Sequence, residues 1–151
     1  MSENQFEAYE AKRTAYAARR AELFPTNKAV LFNSLAAADI HSVTIHFDGY
    51  SDSGQIESVV AFTAEDAEVP LPAASVEIRE TDFDTAVVST AAVSVSDYIE
   101  RVVYNLLEET HAGWENDEGA FGEIRFLVPE RSIRLEYNER YTETHYHEHE
   151  F

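Results

Sequence analysis

Asp48, Asp52 and Glu57 flank one glycine-bearing stretch, Gly49 to Gly54. Converging carboxylates suit a hard divalent cation such as magnesium or calcium, which takes oxygen ligands. Their spacing does not fit the twelve-residue calcium loop, and Asp beside Gly is also how a tight turn is made, the carboxylate bonding neighbouring amides. A second set is His145, His147 and His149. In an extended segment these imidazoles share one face about 7 Å apart, and neighbouring ones could hold zinc or nickel. Histidines in an exposed segment need no such role. The third set gathers Glu115, Asp117 and Glu118 around the only tryptophan, Trp114, with Phe121 and Glu123 close behind. Crowded carboxylates repel until a cation, a basic partner or water relieves them. Trp114 is then either a partner's anchor or, as is commoner after a helix stop, a seal on the core.

Several chemistries are excluded. Without cysteine there is no disulfide, thiolate nucleophile or thiolate zinc site, so a divalent metal on His and carboxylate ligands is the one cofactor left open. No Ser-His-Asp order, phosphate-cradling loop or dinucleotide fingerprint can be read, and no catalytic residue is assigned. The formal net charge is −18, and residues 1–41 carry five acids against five bases, so the whole excess lies beyond residue 41. Such a surface repels phosphate backbones and attracts basic ones. Direct nucleic-acid binding is therefore not expected, whereas a basic, nucleic-acid-handling protein is a fitting partner. Plain solubility is the bland account of the same charge. With no apolar run of membrane-spanning length and no secretory signal, a soluble cytoplasmic protein is expected.

The elements that must position these residues follow from periodicity. From Gln5 to Phe24, Phe6, Tyr9, Tyr16 and Leu23 recur near helical spacing. Pro25 should end that helix, and Thr26 or Asn27 should cap a short second one carrying Val30, Leu31, Leu35 and Ile40. Alternation predicts a hairpin of strands over 42–48 and 55–63, and a third strand near 75–80. Residues 64–74 read as loop or edge, and Ala86 to Val93 reads as a buried strand or the approach to the next helix. Ser94 with Asp97 reads as a capping box for a helix over about 95–110, which Gly113 stops. Two more strands, around Ile124 to Val128 and Ile133 to Tyr137, are joined by a turn at Pro129. The sum is an α+β domain over residues 1–151, with a helical segment over 1–40 and a core over 42–151. It is an antiparallel sheet of about five strands with helices on one face and most of the charge on the other. A homodimer through the first helix is left open.

The stretch Phe47 through Glu57 and the stretch Gly113 through Gly122, with Ile133 through Tyr141 and His149-Glu150-Phe151, resemble a family of uncharacterised bacterial domains carried by plasmids, integrative elements and phages. The resemblance spans roughly residues 42–151 and leaves the first helix outside. It implies a mobile-element origin and brings no activity and no catalytic residue. The leading expectation is a non-enzymatic acidic protein that occupies a positively charged nucleic-acid site on a host defence or DNA-processing enzyme. Asp48, Asp52, Glu57, Glu115, Asp117 and Glu118 would stand where phosphates lie, with Trp114 as anchor. The alternatives are a small metal-dependent enzyme or metal-binding protein using the three histidines, and an accessory protein with no defined ligand.

Overall fold

Pro25 does not end the first helix. In the computed structural model, which describes residues 3–50, 53–116 and 119–151, helix α1 runs unbroken over Glu3–Ala37 with Pro25 inside it. An internal proline removes one helical hydrogen bond and costs about 3 kcal/mol. Two residues on, Asn27 leaves its expected capping role. Its Nδ2 donates to the Arg79 carbonyl at 2.9 Å, and its Oδ1 accepts from the Arg79 N–H at 2.8 Å. One buried amide thus satisfies both backbone groups of a strand residue and anchors the helix beside its proline. Leu31, Phe32 and Leu35 then enter the core, whereas residues 3–26 contain no buried side chain.

The remaining elements are β1 (Ser42–Tyr50), β2 (Ser53–Phe62), β3 (Glu68–Val69), β4 (Ser75–Thr81), β5 (Val88–Ser94), α2 (Val95–Thr110), β6 (Ala120–Leu127) and β7 (Ser132–Glu139). Five strands form an antiparallel sheet in the order β3-β2-β1-β6-β7, and β4 with β5 forms a separate hairpin. The α+β class and the five-stranded sheet match expectation. The strand near 75–80 is β4 and Ala86 to Val93 does supply a strand, β5, but the two form a hairpin apart from the main sheet, and β5 is built of small, mostly exposed residues, not buried ones. Ser94 caps α2 as its spacing predicts, Oγ accepting from the Asp97 N–H at 3.0 Å.

Inward residues Val43, Ile45 and Phe47 of β1 and Ile124 and Phe126 of β6 join Ile99, Val103 and Leu107 of α2 in one apolar cluster. A bulge in β2 keeps that face continuous. Phe47 lies opposite Ile56 and His46 opposite Ser58, so Glu57 is the extra residue. The insertion lets even-numbered Ile56 share the inner face with odd-numbered Val59 and Ala61. Charge on the other face is mixed. His46 Nε2 meets Glu123 Oε2 at 3.1 Å, Arg125 Nη2 meets Glu123 Oε1 at 2.6 Å, and Arg125 lies opposite Arg134. The excess acids sit on loops, hairpins and α2, not on the outer sheet face as the sequence led us to expect.

Candidate functional site

Two stretches far apart in sequence meet at one end of the sheet. Gly113 adopts φ +79°, and successive turns fold the chain back, with the Trp114 N–H bonding the His111 carbonyl at 3.0 Å and the Asn116 N–H bonding the Gly113 carbonyl at 2.9 Å. This lays the indole across the turn end of the β1–β2 hairpin. A Cβ at Gly49 would come within 2.7 Å of the ring and one at Gly54 within 2.5 Å, closer than real Cβ contacts allow. The glycines flanking that turn are therefore the groove that receives Trp114, which packs edge-on against Phe47 at 5.5 Å. At 5% exposure the indole is a core residue. The anchor role is closed to it, because its surface is already spent on the hairpin.

The acids around it have different fates. Asp48 takes a two-pronged bond from Arg140, at 2.9 and 3.1 Å, and the same guanidinium bonds the Gly49 carbonyl and lies 4.6 Å over the Phe121 ring. Asp48 is thereby neutralised and no longer resembles a free phosphate. Glu57 projects from the bulge, exposed, with only the Gln55 amide on its Oε1 at 3.1 Å. Glu115 is half-buried, and its Oε2 is enclosed without a hydrogen-bond partner among the described residues. Asp52, Asp117 and Glu118 lie outside the described residues.

Nearby, His111 stacks flat on Tyr137, ring centroids 3.6 Å apart. Burial, and then the charges of Glu139 and Glu115, push the Tyr137 phenol above its ordinary value. Those two carboxylates thus bear on one ring. The adjoining last turn of α2 carries Glu108 and Glu109 and no base. Helix carboxyl ends favour cations by about 0.3–1 kcal/mol, so acids there act against the helix. Neither Arg140 nor the His111–Tyr137 stack is legible in the sequence, because each joins elements that only the fold brings together.

The histidines stand apart from this end. Residues 141–151 belong to no strand and are exposed throughout. His145 Nε2 lies 3.6 Å from Glu143 Oε1, and His149 stacks on Phe151. Among the described residues no three His, Cys, Asp or Glu side chains converge as metal ligands. The metal centre expected at His145, His147 and His149 is not assembled, since strand spacing aligns side chains only within a strand. On the outer sheet face, Ser58 Oγ lies 3.1 Å from His46 Nδ1, whose other nitrogen meets Glu123. The residue types suggest a hydrolytic triad. However, His46 and Ser58 are cross-strand partners in the β1–β2 ladder beside the Glu57 bulge, and Glu123 is the cross-strand partner of His46 on β6, so strand pairing by itself accounts for the three side chains meeting. It is a cross-strand polar ladder.

No helix among the described residues is long and apolar enough to cross a membrane. No curated protein and no solved structure matches the chain. A family model does match, over residues 23–151, which takes in the buried half of α1 that the resemblance had left outside. The Asn27 anchor, the glycine groove for Trp114 and the sheet all fall within that span, and the chain belongs to the family of unknown function DUF6878.

Proposed function

We propose that the protein is a non-enzymatic acidic interaction module of a mobile genetic element, and that its loop end occupies a positively charged nucleic-acid site on a defence or DNA-processing protein. One observation carries this reading. At that end carboxylates sit where the fold does not want them: Glu108 and Glu109 oppose the α2 dipole, and one oxygen of Glu115 is enclosed without a partner among the described residues. Glu57 adds an exposed charge on a bulge. Charge kept at a cost to stability is expected where charge does the binding. Association with a basic surface would be fast and salt-sensitive. Asp48 drops out of the contact set because Arg140 already holds it, and Trp114 supports the hairpin from within.

The test is capture by the immobilised chain followed by competition. A basic nucleic-acid-binding protein should be retained, released above about 0.3 M salt, where the Debye length falls below roughly 6 Å, and displaced by duplex DNA. Charge reversal of Glu57, Glu108 and Glu109 together should abolish capture without unfolding the chain. Retention that neither DNA nor charge reversal disturbs would sink the reading.

A further inference from the structure

Between α1, β4 and α2 lies a cleft of about 570 Å³, within the roughly 300–1,000 Å³ of sites that accept a ligand of modest size. Its lining is apolar at Phe24, Val102 and Leu106, and its charged residues are Arg20, Arg79 and Arg101 against Glu80 and Glu109, an excess of one cation. Arg101 is committed to Glu80 at 2.6 Å. Arg20 is not committed. It lies 5.5 Å over the Tyr16 ring and makes no ion pair and no hydrogen bond among the described residues. In a chain of charge −18, a free guanidinium beside a phenol and an apolar lining suits an occupant that is both acidic and aromatic.

The chain carries such a segment itself. Residues 141–151 hold Glu143, Glu148 and Glu150 among three large rings, of which Tyr141 and Tyr146 are each 78% exposed and Phe151 is fully exposed. None of these residues lines the chain's own cleft. Exposed rings scattered singly are ordinary, but three within eleven residues are apolar surface left to bury. We propose that residues 141–151 of a second copy occupy this cleft, two chains exchanging segments about a twofold axis, with an acid of the segment on Arg20 and its rings against Tyr16, Phe24 and Leu106. Six such rings over two copies, at about 150–250 Å² each, give roughly 900–1,500 Å², a range that straddles the lower bound of the roughly 1,200–2,000 Å² of a stable interface. The segment leaves β7 just after Arg140, which is tied to Asp48, so the exchange requires no strand to unfold. Glu109 both closes α2 and lines this cleft, so the two proposals share that residue, and the substitutions below leave it unchanged.

Sedimentation of the full chain over a concentration series tests it. A monomer–dimer equilibrium is expected, weakened about tenfold or more by Arg20→Glu, by Arg20→Ala, or by the pair Tyr146→Ser and Phe151→Ser. An equimolar mixture of the Arg20→Glu chain and the double-serine chain should recover dimer, because it restores one intact cleft and segment pair. The proposal is overturned by a monomer at every concentration, by a dimer that none of these substitutions weakens, or by a mixture that recovers nothing. Protection of residues 141–151 from hydrogen exchange in a chain that stays monomeric would mean folding back onto the same copy, which also overturns it.

Discussion

Where α1 lies along the β4–β5 hairpin, two of its bases find partners and its rings interlock, while Arg20 stays unpaired among the described residues. Lys12 meets Asp84 at 3.3 Å, Arg19 bonds Thr81 and the Asp82 carbonyl, and Phe83 sits 6.0 Å from Tyr9 and 5.3 Å from Tyr16. At the loop end the interlocking is tighter, and apart from the Asp48–Arg140 pair its acids are not matched. Trp114 fills a groove cut by two glycines, whereas Glu57, Glu108, Glu109 and Glu115 have no ion pair among the described residues. The helix side uses charge as trim on a packed surface. The loop end is held by packing in spite of its charge, so the residues that stabilise it and the residues that charge it are different ones.

Substitutions can break or sharpen this contrast. The largest effect is expected for Trp114→Ala, which empties the groove and should cost about 3–5 kcal/mol in urea unfolding. A loss under about 1 kcal/mol would show that the loop packs loosely and remove the rigid end from the comparison. Next comes Asn27→Ala on the helix side. It strips partners from both the N–H and the carbonyl of Arg79 and should cost about 1–3 kcal/mol. Helicity over residues 3–24 should fall with it, since Pro25 then has no anchor beside it. Glu115→Met should instead stabilise the chain, by on the order of 1 kcal/mol, because an apolar side chain of similar length leaves no enclosed oxygen without a partner. Lys12→Ala should move stability by no more than about 0.5 kcal/mol, the ordinary worth of an exposed pair. Measured together, an acid that destabilises at one end and a base that is nearly neutral at the other would fix the difference between the regions.

The same contrast explains what the sequence disclosed. Period-two and period-3.6 patterns marked β1, β2, β6, β7 and α2 because each buries one face against a single core. Pro25 misled because propensity is local, and what overrides it, the Asn27 bond to β4, spans fifty-two residues of sequence. β5 was blurred by its exposure. At the candidate site, the density of Gly, Trp and acids singled out both stretches, yet their types could not say that Gly49 and Gly54 are shaped for Trp114. Nor could they say that Arg140 cancels Asp48, a contact across ninety-two residues. Identity and local order are written in the chain; which charges remain free is decided only by tertiary pairing.

The finest test uses two tyrosines, one on each side. Burial raises both phenols above the ordinary tyrosine value, but the neighbouring charges differ in sign. Arg101 and Arg20 pull Tyr98 back down, whereas Glu139 and Glu115 push Tyr137 further up. For a group whose folded pKa is raised, the unfolded chain gives up its proton first as pH climbs. The stability contributed by each neutral phenol is therefore intact below about pH 10 and is lost as pH rises from there through the folded value. Tyr98→Phe and Tyr137→Phe should each flatten that alkaline decline. Added salt screens exposed charges, so it should raise the Tyr98 titration by weakening the arginines and lower that of Tyr137 by weakening the glutamates. Phenolate absorbance, with the two single variants supplying the difference spectra, reads both directions. Opposite movements would establish a cationic cleft facing an acidic end within one small domain. Movement of both in the same direction would mean that the local field at one of the two sites has the wrong sign.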